Sequence, residues 1–473
     1  MARLESTVRW RDVSGGNVQK VSSDITIPNG VPFSLNLLFD KVLGEALSRN
    51  GTSLLSTPSV GNPCLGLYQH LDSTFVNSLL FAAFNGSVYD AATGSESLAS
   101  LSSTAKCRFT TFLNATLMLN GAQSRSYTNA GGWISTGGAF DLGNIPAGAT
   151  YPIEFKDRIY AVVTDRVYYT APVSAGVCQW TATGSGSLQA EQEDGGGTIQ
   201  GINKVPGYLM LYKQRSLKRW NFDSTFPEDL VNIGTQSNES IVRARGKNFF
   251  FYGPNGFYET DGKYPVLISR PVQRIIDGIA SSFYEHVNGW SDNYDVYWSV
   301  GDVTVDFDRG YTETYTNVVL RYNIDSQQWS THRYAHQFRA MHQYISGTDV
   351  FKVGGDAAGQ VLQIDTGTTD YNGTAITYVL ESPEFDFKYR ERQKTVSEKI
   401  IAHSDGTKGA VLQARLDYGD WKSIGTLGDI VSEIWIKPLT AKIFQFRITD
   451  SITGAIIKLR GLDFPNVDVH MNT

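Results

Sequence analysis

A chain of 473 residues, 41% hydrophobic and 19% charged, is long enough for two or three domains, or for one large all-β domain with an appendage. Its formal net charge of −6 and pI near 5.7 argue against tight sequence-specific DNA binding, though not against loose passage of DNA. No run of eighteen apolar residues occurs, and "MARLESTVRWRD" at the N-terminus lacks an apolar stretch, so neither a membrane span nor classical secretion is expected. Aromatic residues at 12% and 46 glycines suit numerous short strands joined by tight turns. Cys64, Cys107 and Cys178 lie far apart without metal-like spacing, which reads as buried thiols in a reducing compartment.

Taken in chain order, residues 1–62 read as an extended arm punctuated by Gly15, Gly16, Pro28, Gly30 and Pro32. Within it "SLNLLFDKVLGEALSR" (34–49) has a broken helical spacing and could equally be extended. From residue 63 to 382, strand–turn–strand units return at roughly 40–50 residues, the period of four-stranded propeller blades. "NSLLFAAFNGSVYDAATG" turns at Asn85-Gly86, the strongest short hairpin signal. "RFTTFLNATLMLNGA" turns around Asn114, and "YPIEFKDRIYAVVTDRVYYTAP" turns at Lys156-Asp157 and again at Thr164-Asp165. "GYLMLYKQRSLKRW" turns at Lys213-Gln214, and "GKNFFFYGPNGFYETDGKYPVLIS" at Pro254-Asn255-Gly256. "YDVYWSVG", "NVVLRYNIDSQQWSTH" and "DVFKVGGDAAGQVLQID" continue the series. A short helix is expected in 271–286, where Val272, Ile275, Ile276 and Ile279 share one face, and a long inserted hairpin in 301–318.

Radial stacking buries both faces of each blade and leaves only short edges, so the expected fold is an all-β propeller of six to eight blades. A pair of β-sandwiches is the rival. Residues 383–473 form a separate β-rich region, either a small sandwich or a last blade, closing on a hairpin with Asp450–Gly454 at its tip.

Catalytic signatures are scarce. The sequence has no GxSxG, HExxH, P-loop, dinucleotide fingerprint or Cys/His metal spacing. "EDGGGTIQG" (193–201) lacks the Lys-Ser/Thr of a phosphate cradle and reads as a strand-entry loop. His332, His336 and His342 sit close in sequence, but strand geometry need not bring them to one face. Asp292, Asp295, Asp302, Asp306 and Asp308 crowd one stretch without the alternate spacing of a calcium loop. No catalytic residue, cofactor or metal is therefore assigned. In "YKQRSLKRW", strand alternation would place Lys213, Arg215 and Arg219 on one face and Lys218 opposite. No continuous basic stripe would then form, so a solvated face or subunit contact is favoured, with a nucleic-acid contact through Lys213, Arg215 and Arg219 as the other reading.

The N-terminal stretch resembles the entry segment of bacteriophage tail and head–tail connector β-propeller proteins. The resemblance rests on Gly15-Gly16, Pro28, the run from Asn36 to Asp40, and Arg49 to Thr52, with Asn50 where that family usually has proline. The blade-like segments follow in a similar order, down to "VVLRYNIDSQQWSTH" and "FQFRITDSITGAIIKLRGLDF". This resemblance implies a non-enzymatic virion protein, assembled in the host cytoplasm: a tail nozzle or connector subunit ringing the DNA exit channel. Hexamers are usual in that family. Its partners would be adjoining tail or connector rings, tail fibres, and viral DNA in transit without sequence specificity. A receptor- or glycan-binding propeller (a tail adhesin) is the alternative, and a propeller hydrolase a more distant one. On this reading the arm orders against a neighbouring subunit, with Gly15, Gly16, Ile25, Ile27, Phe33, Leu35 and Phe39 at that interface.

Overall fold

The computed structural model describes residues 2–3, 8–11, 31–40, 44–72, 78–190, 195–222, 226–306, 312–387, 391–406, 409–428, 430–450 and 458–470. Seven four-stranded antiparallel sheets follow one another along residues 64–364. Blades 1 to 6 take four consecutive strands each, over 64–98, 108–134, 150–189, 199–231, 242–267 and 288–333. Blade 7 takes three from 338–364, and its fourth is Thr52–Ser56 from near the N-terminus. The first strands of successive blades lie side by side, and that of blade 7, Phe338–Ser346, packs against that of blade 1, Cys64–Leu71. This part of the chain is an all-β, seven-bladed propeller whose last blade is completed by Thr52–Ser56.

Local chemistry explains the blades. Phe84 pairs with Ser87 across Asn85-Gly86, whose φ values of 42° and 80° make the two-residue turn that matches strand twist. Lys156 and Asp157 adopt the same left-handed pair, at 47° and 56°. Aromatic side chains fill the layer between blades 5 and 6: Phe257 lies 4.3 Å from Trp298, and Trp329 5.8 Å from Trp298. Trp329 is buried, and its indole N–H donates to the Ile268 carbonyl at 3.0 Å. Trp329→Ala should therefore cost about 3–5 kcal/mol, read as a lower urea midpoint.

The helix expected in 271–286 is present as one α-turn, Gln273–Asp277, between two 3-10 segments, Arg270–Val272 and Ser281–His286. Val272, Ile275, Ile276 and Ile279 are all buried, packed with Val303 and Val305 of the long hairpin. That hairpin consists of two 12-residue strands, Asp295–Asp306 and Thr312–Asn323, which run past the rest of blade 6.

The second body is a β-sandwich, and here the arm changes its meaning. One sheet runs Val431–Trp435, Lys399–Asp405, Lys458–Phe464, Glu45–Ser48, Leu37–Asp40, with Val8–Arg11 also paired to Lys458–Phe464. The facing sheet runs Phe33–Leu35, Tyr378–Glu381, Phe444–Asp450, Val411–Leu416, Lys422–Thr426. Residues 33–48 thus supply one strand to one sheet and two to the other, and Val31, Leu37, Phe39 and Ala46 lie in the core between them. The boundaries at 62 and 382 move accordingly. Thr52–Ser56 belongs to the propeller, while 33–48 and Tyr378–Glu381 belong to the sandwich.

The C-terminal hairpin also needs correcting. Phe444–Asp450 and Lys458–Phe464 pair with different neighbours in opposite sheets, so Phe446, Ile448 and Leu459 meet across the core instead of side by side. Alternating apolar runs look alike whether two strands share a sheet or face each other.

Candidate functional site

Two places concentrate polar chemistry. The first lies where propeller and sandwich meet. Asn36, at φ 58°, interrupts the strand run between Phe33–Leu35 and Leu37–Asp40. Its N–H donates to the Thr331 carbonyl at 2.7 Å, and its amide oxygen accepts from the Arg333 N–H at 2.7 Å and from Arg49 Nε at 2.9 Å. The Arg49 guanidinium forks onto Asp370, with Nη1 2.9 Å from Oδ1 and Nη2 2.8 Å from Oδ2. It also donates to the carbonyls of Asn50 and Arg333 and lies 4.0 Å over the Tyr334 ring. Both partners of the ion pair are buried. Gly51 is required by close approach, since a Cβ there would stand 1.8 Å from the Thr369 carbonyl oxygen. The Thr52 hydroxyl accepts from the Tyr371 N–H at 3.0 Å. Asn36, Arg49, Gly51 and Thr52 thus converge on one buried joint linking the sandwich, the last strand of blade 6 and the closure of blade 7.

The long hairpin reinforces this joint. The Phe33 and Tyr315 rings stack at 5.0 Å, and Arg447 of the sandwich bridges Glu381 and, at 3.2 Å, Glu313 of the hairpin.

The second place is the centre of the propeller, where the first strands of the blades surround a cavity of about 580 Å³. On its wall Glu239 receives Lys106 Nζ at 2.9 Å and Arg108 Nε at 2.7 Å. Burial alone would raise the Glu239 carboxyl, but Arg108 and Lys106 outweigh it and hold the group well below the usual carboxylate range. Lys106 also donates to the Glu285 carbonyl at 2.7 Å, and Arg108 lies 4.4 Å over Tyr151.

The residues singled out in the sequence fare unevenly. Phe33, Leu35 and Phe39 are buried within this chain, which corrects their assignment to a subunit interface. A propeller covers its own faces, and the surface that buries these residues is supplied by the sandwich and the long hairpin. Gly15, Gly16, Ile25 and Ile27 lie outside the described residues. Lys213 is buried, Lys218 is buried against Asp229 at 2.7 Å, Arg215 is exposed, and Arg219 is held by Glu228 at 2.8 Å. Residues 213–216 carry the chain from Tyr208–Lys213 into Leu217–Trp220, so the single-strand alternation expected across the stretch is broken by a turn.

His332, His336 and His342 do not converge. His336 Nδ1 lies 2.9 Å from Asp356 Oδ2, and the His342 ring sits 5.3 Å from Tyr68 on the cavity wall. Asp295 is engaged by Arg321 at 2.7 Å and Asn323 at 2.8 Å, and Asp292 lies 3.3 Å from Lys352. Asp308 lies outside the described residues. Among the described residues no group of three or more His, Cys, Asp or Glu could hold a metal ion, and no helix is long and apolar enough to cross a membrane. Cys64, Cys107 and Cys178 are free and buried.

His332 gives the joint a pH dependence. Burial, and then the nearby Arg49, Arg321 and Lys352, push its pKa well below 6.5. The fold keeps it neutral while the unfolded chain takes a proton as pH falls below 6.5, so its contribution is intact above that pH and is lost below it. His332→Gln should flatten the fall in stability between pH 6.5 and 5.5 by up to about 1.4 kcal/mol per pH unit, measured by urea titration.

No family model matches the chain, and no curated protein matches it. Among solved structures it is similar to one described as "AfRom2 CNH domain", at 11% identity and TM-score 0.39, over 67% of this chain and 99% of that one. It is also similar to one described as "Structure of U3-55K", at 8% identity and TM-score 0.41, over 67% of this chain and 98% of that one.

Proposed function

We propose that this chain is a structural subunit of a bacteriophage tail, a nozzle or head–tail connector component arranged in a ring of copies, six by analogy with the resembled family. The observation that carries the reading is the joint. The residues behind the sequence resemblance, Asn36 and Arg49 to Thr52, are spent on fixing a sandwich against a propeller. A wall element of a DNA conduit needs such a fixed angle between its bodies. DNA would pass inside the ring of copies, because a cavity of about 580 Å³ at the centre of one propeller has the scale of a small-molecule site.

In this reading copies meet through the sandwich strand Val431–Trp435, which ends its sheet among the described residues. Its outward face carries Trp435 at 70% and Val431 at 56% exposure on either side of the exposed Glu433, at the kind of sheet edge that isolated proteins usually cover or blunt. Light scattering and negative-stain images of the purified protein should show rings. Trp435→Asp should give monomers that melt like the parent. A wild-type protein that stays monomeric alone and with tail particles, or a Trp435→Asp variant that still forms complete rings, would count against this arrangement.

A further inference from the structure

The wall of the central cavity has a charge pattern unlike the rest of the chain. Carboxylates outnumber Lys and Arg 47 to 41 overall, yet the cavity is lined by Lys106, Arg108, Arg243 and Arg339 against the single carboxylate of Glu239. Glu239 is already shared between Lys106 and Arg108. Arg339, on the first strand of blade 7, has no ion-pair partner among the described residues. Its guanidinium lies 5.1 Å over the Phe283 ring, and its buried Nε has no acceptor. Asn288 beside it donates to the Phe338 carbonyl at 3.0 Å, while its own buried amide oxygen has no donor. Burial lowers the Arg339 pKa, as expected of a cation without a counter-charge.

The half-buried Arg339 guanidinium offers N–H donors shaped for a carboxylate or phosphate group. The volume suits a small molecule.

We infer that the central cavity is a binding site for a small anion bearing a phosphate or carboxylate group, held by the Arg339 guanidinium, with Lys106 adding charge. This site is separate from the ring contact and does not depend on it.

Calorimetric titration of the full chain with inorganic phosphate, glucose 6-phosphate and citrate, each against sodium chloride of equal ionic strength, tests it. At least one of the three should bind saturably with one site per chain, and which one binds separates free phosphate, phosphate ester and carboxylate. Arg339→Gln should abolish that binding. Arg339→Lys, which keeps the charge without the guanidinium, should weaken it at least tenfold and serves if the glutamine variant does not fold. No saturable binding of any probe, equal binding by Arg339→Lys, or the same response to sodium chloride would overturn the proposal.

Discussion

A chain that begins at Gly51 will fail to hold its native fold. Removing residues 1–50 takes Phe33–Leu35 from one sandwich sheet and Leu37–Asp40 and Glu45–Ser48 from the other. It strips buried Trp10, Val31, Phe33, Leu35, Leu37 and Phe39 from two cores. Loss of a large buried apolar side chain costs about 2–5 kcal/mol, and a domain's net stability is only about 5–15 kcal/mol. The losses together exceed what the sandwich has. Deletion also leaves the strand edges of Tyr378–Glu381 and Lys458–Phe464 without partners, which invites aggregation. The truncated protein should aggregate or be cut by trypsin within 378–470, and its thermal transition should be lost or split. A transition unchanged from the parent would show that the segment is dispensable to the fold.

Arg49→Ala should destabilise the protein by roughly 3–5 kcal/mol, because it leaves the Asp370 carboxylate buried without its counter-charge. The carbonyls of Asn50 and Arg333 and the amide oxygen of Asn36 lose a donor at the same stroke. Arg49→Lys keeps a positive charge but cannot reproduce the two parallel bonds, so it should fall between the parent and alanine. The paired change Arg49→Met with Asp370→Leu should cost less than the sum of the two single changes, since it removes both buried charges. Urea unfolding of Arg49→Ala, Arg49→Lys, the single changes Arg49→Met and Asp370→Leu, and their double measures this. Additive losses would mean that the two side chains do not act as a unit.

The sequence carried the local half of this fold. Asn85-Gly86 and Lys156-Asp157 announce their turns because two-residue hairpins demand left-handed backbone, and the spacing of Val272, Ile275, Ile276 and Ile279 announces a helical face. What stayed hidden is pairing between distant residues. Phe33 pairs with Glu381 and Ser56 with Val361, and no local pattern says which strand a lone apolar run will join. The same blindness made Phe444–Asp450 and Lys458–Phe464 look like one hairpin.

The joint was half legible. Arg49 to Thr52 stood out as a pattern, but its partner Asp370 sits in "TGTTDYNG", which reads as an ordinary polar loop. The cavity was invisible. Lys106, Glu239 and Arg339 belong to blades 2, 5 and 7 or their approaches, and only closure of the ring brings them near one centre.

The central claim is that the N-terminal segment is an integral strand supply of its own chain. Hydrogen exchange on dilute, monomeric protein tests it most directly. Amides of Phe33–Leu35, Leu37–Asp40, Glu45–Ser48 and Thr52–Ser56 should be protected to the same degree as the interior strands of the sandwich and of blade 7. Free exchange of these amides in the monomer, with protection only after assembly, would contradict the account and return the segment to a neighbouring subunit.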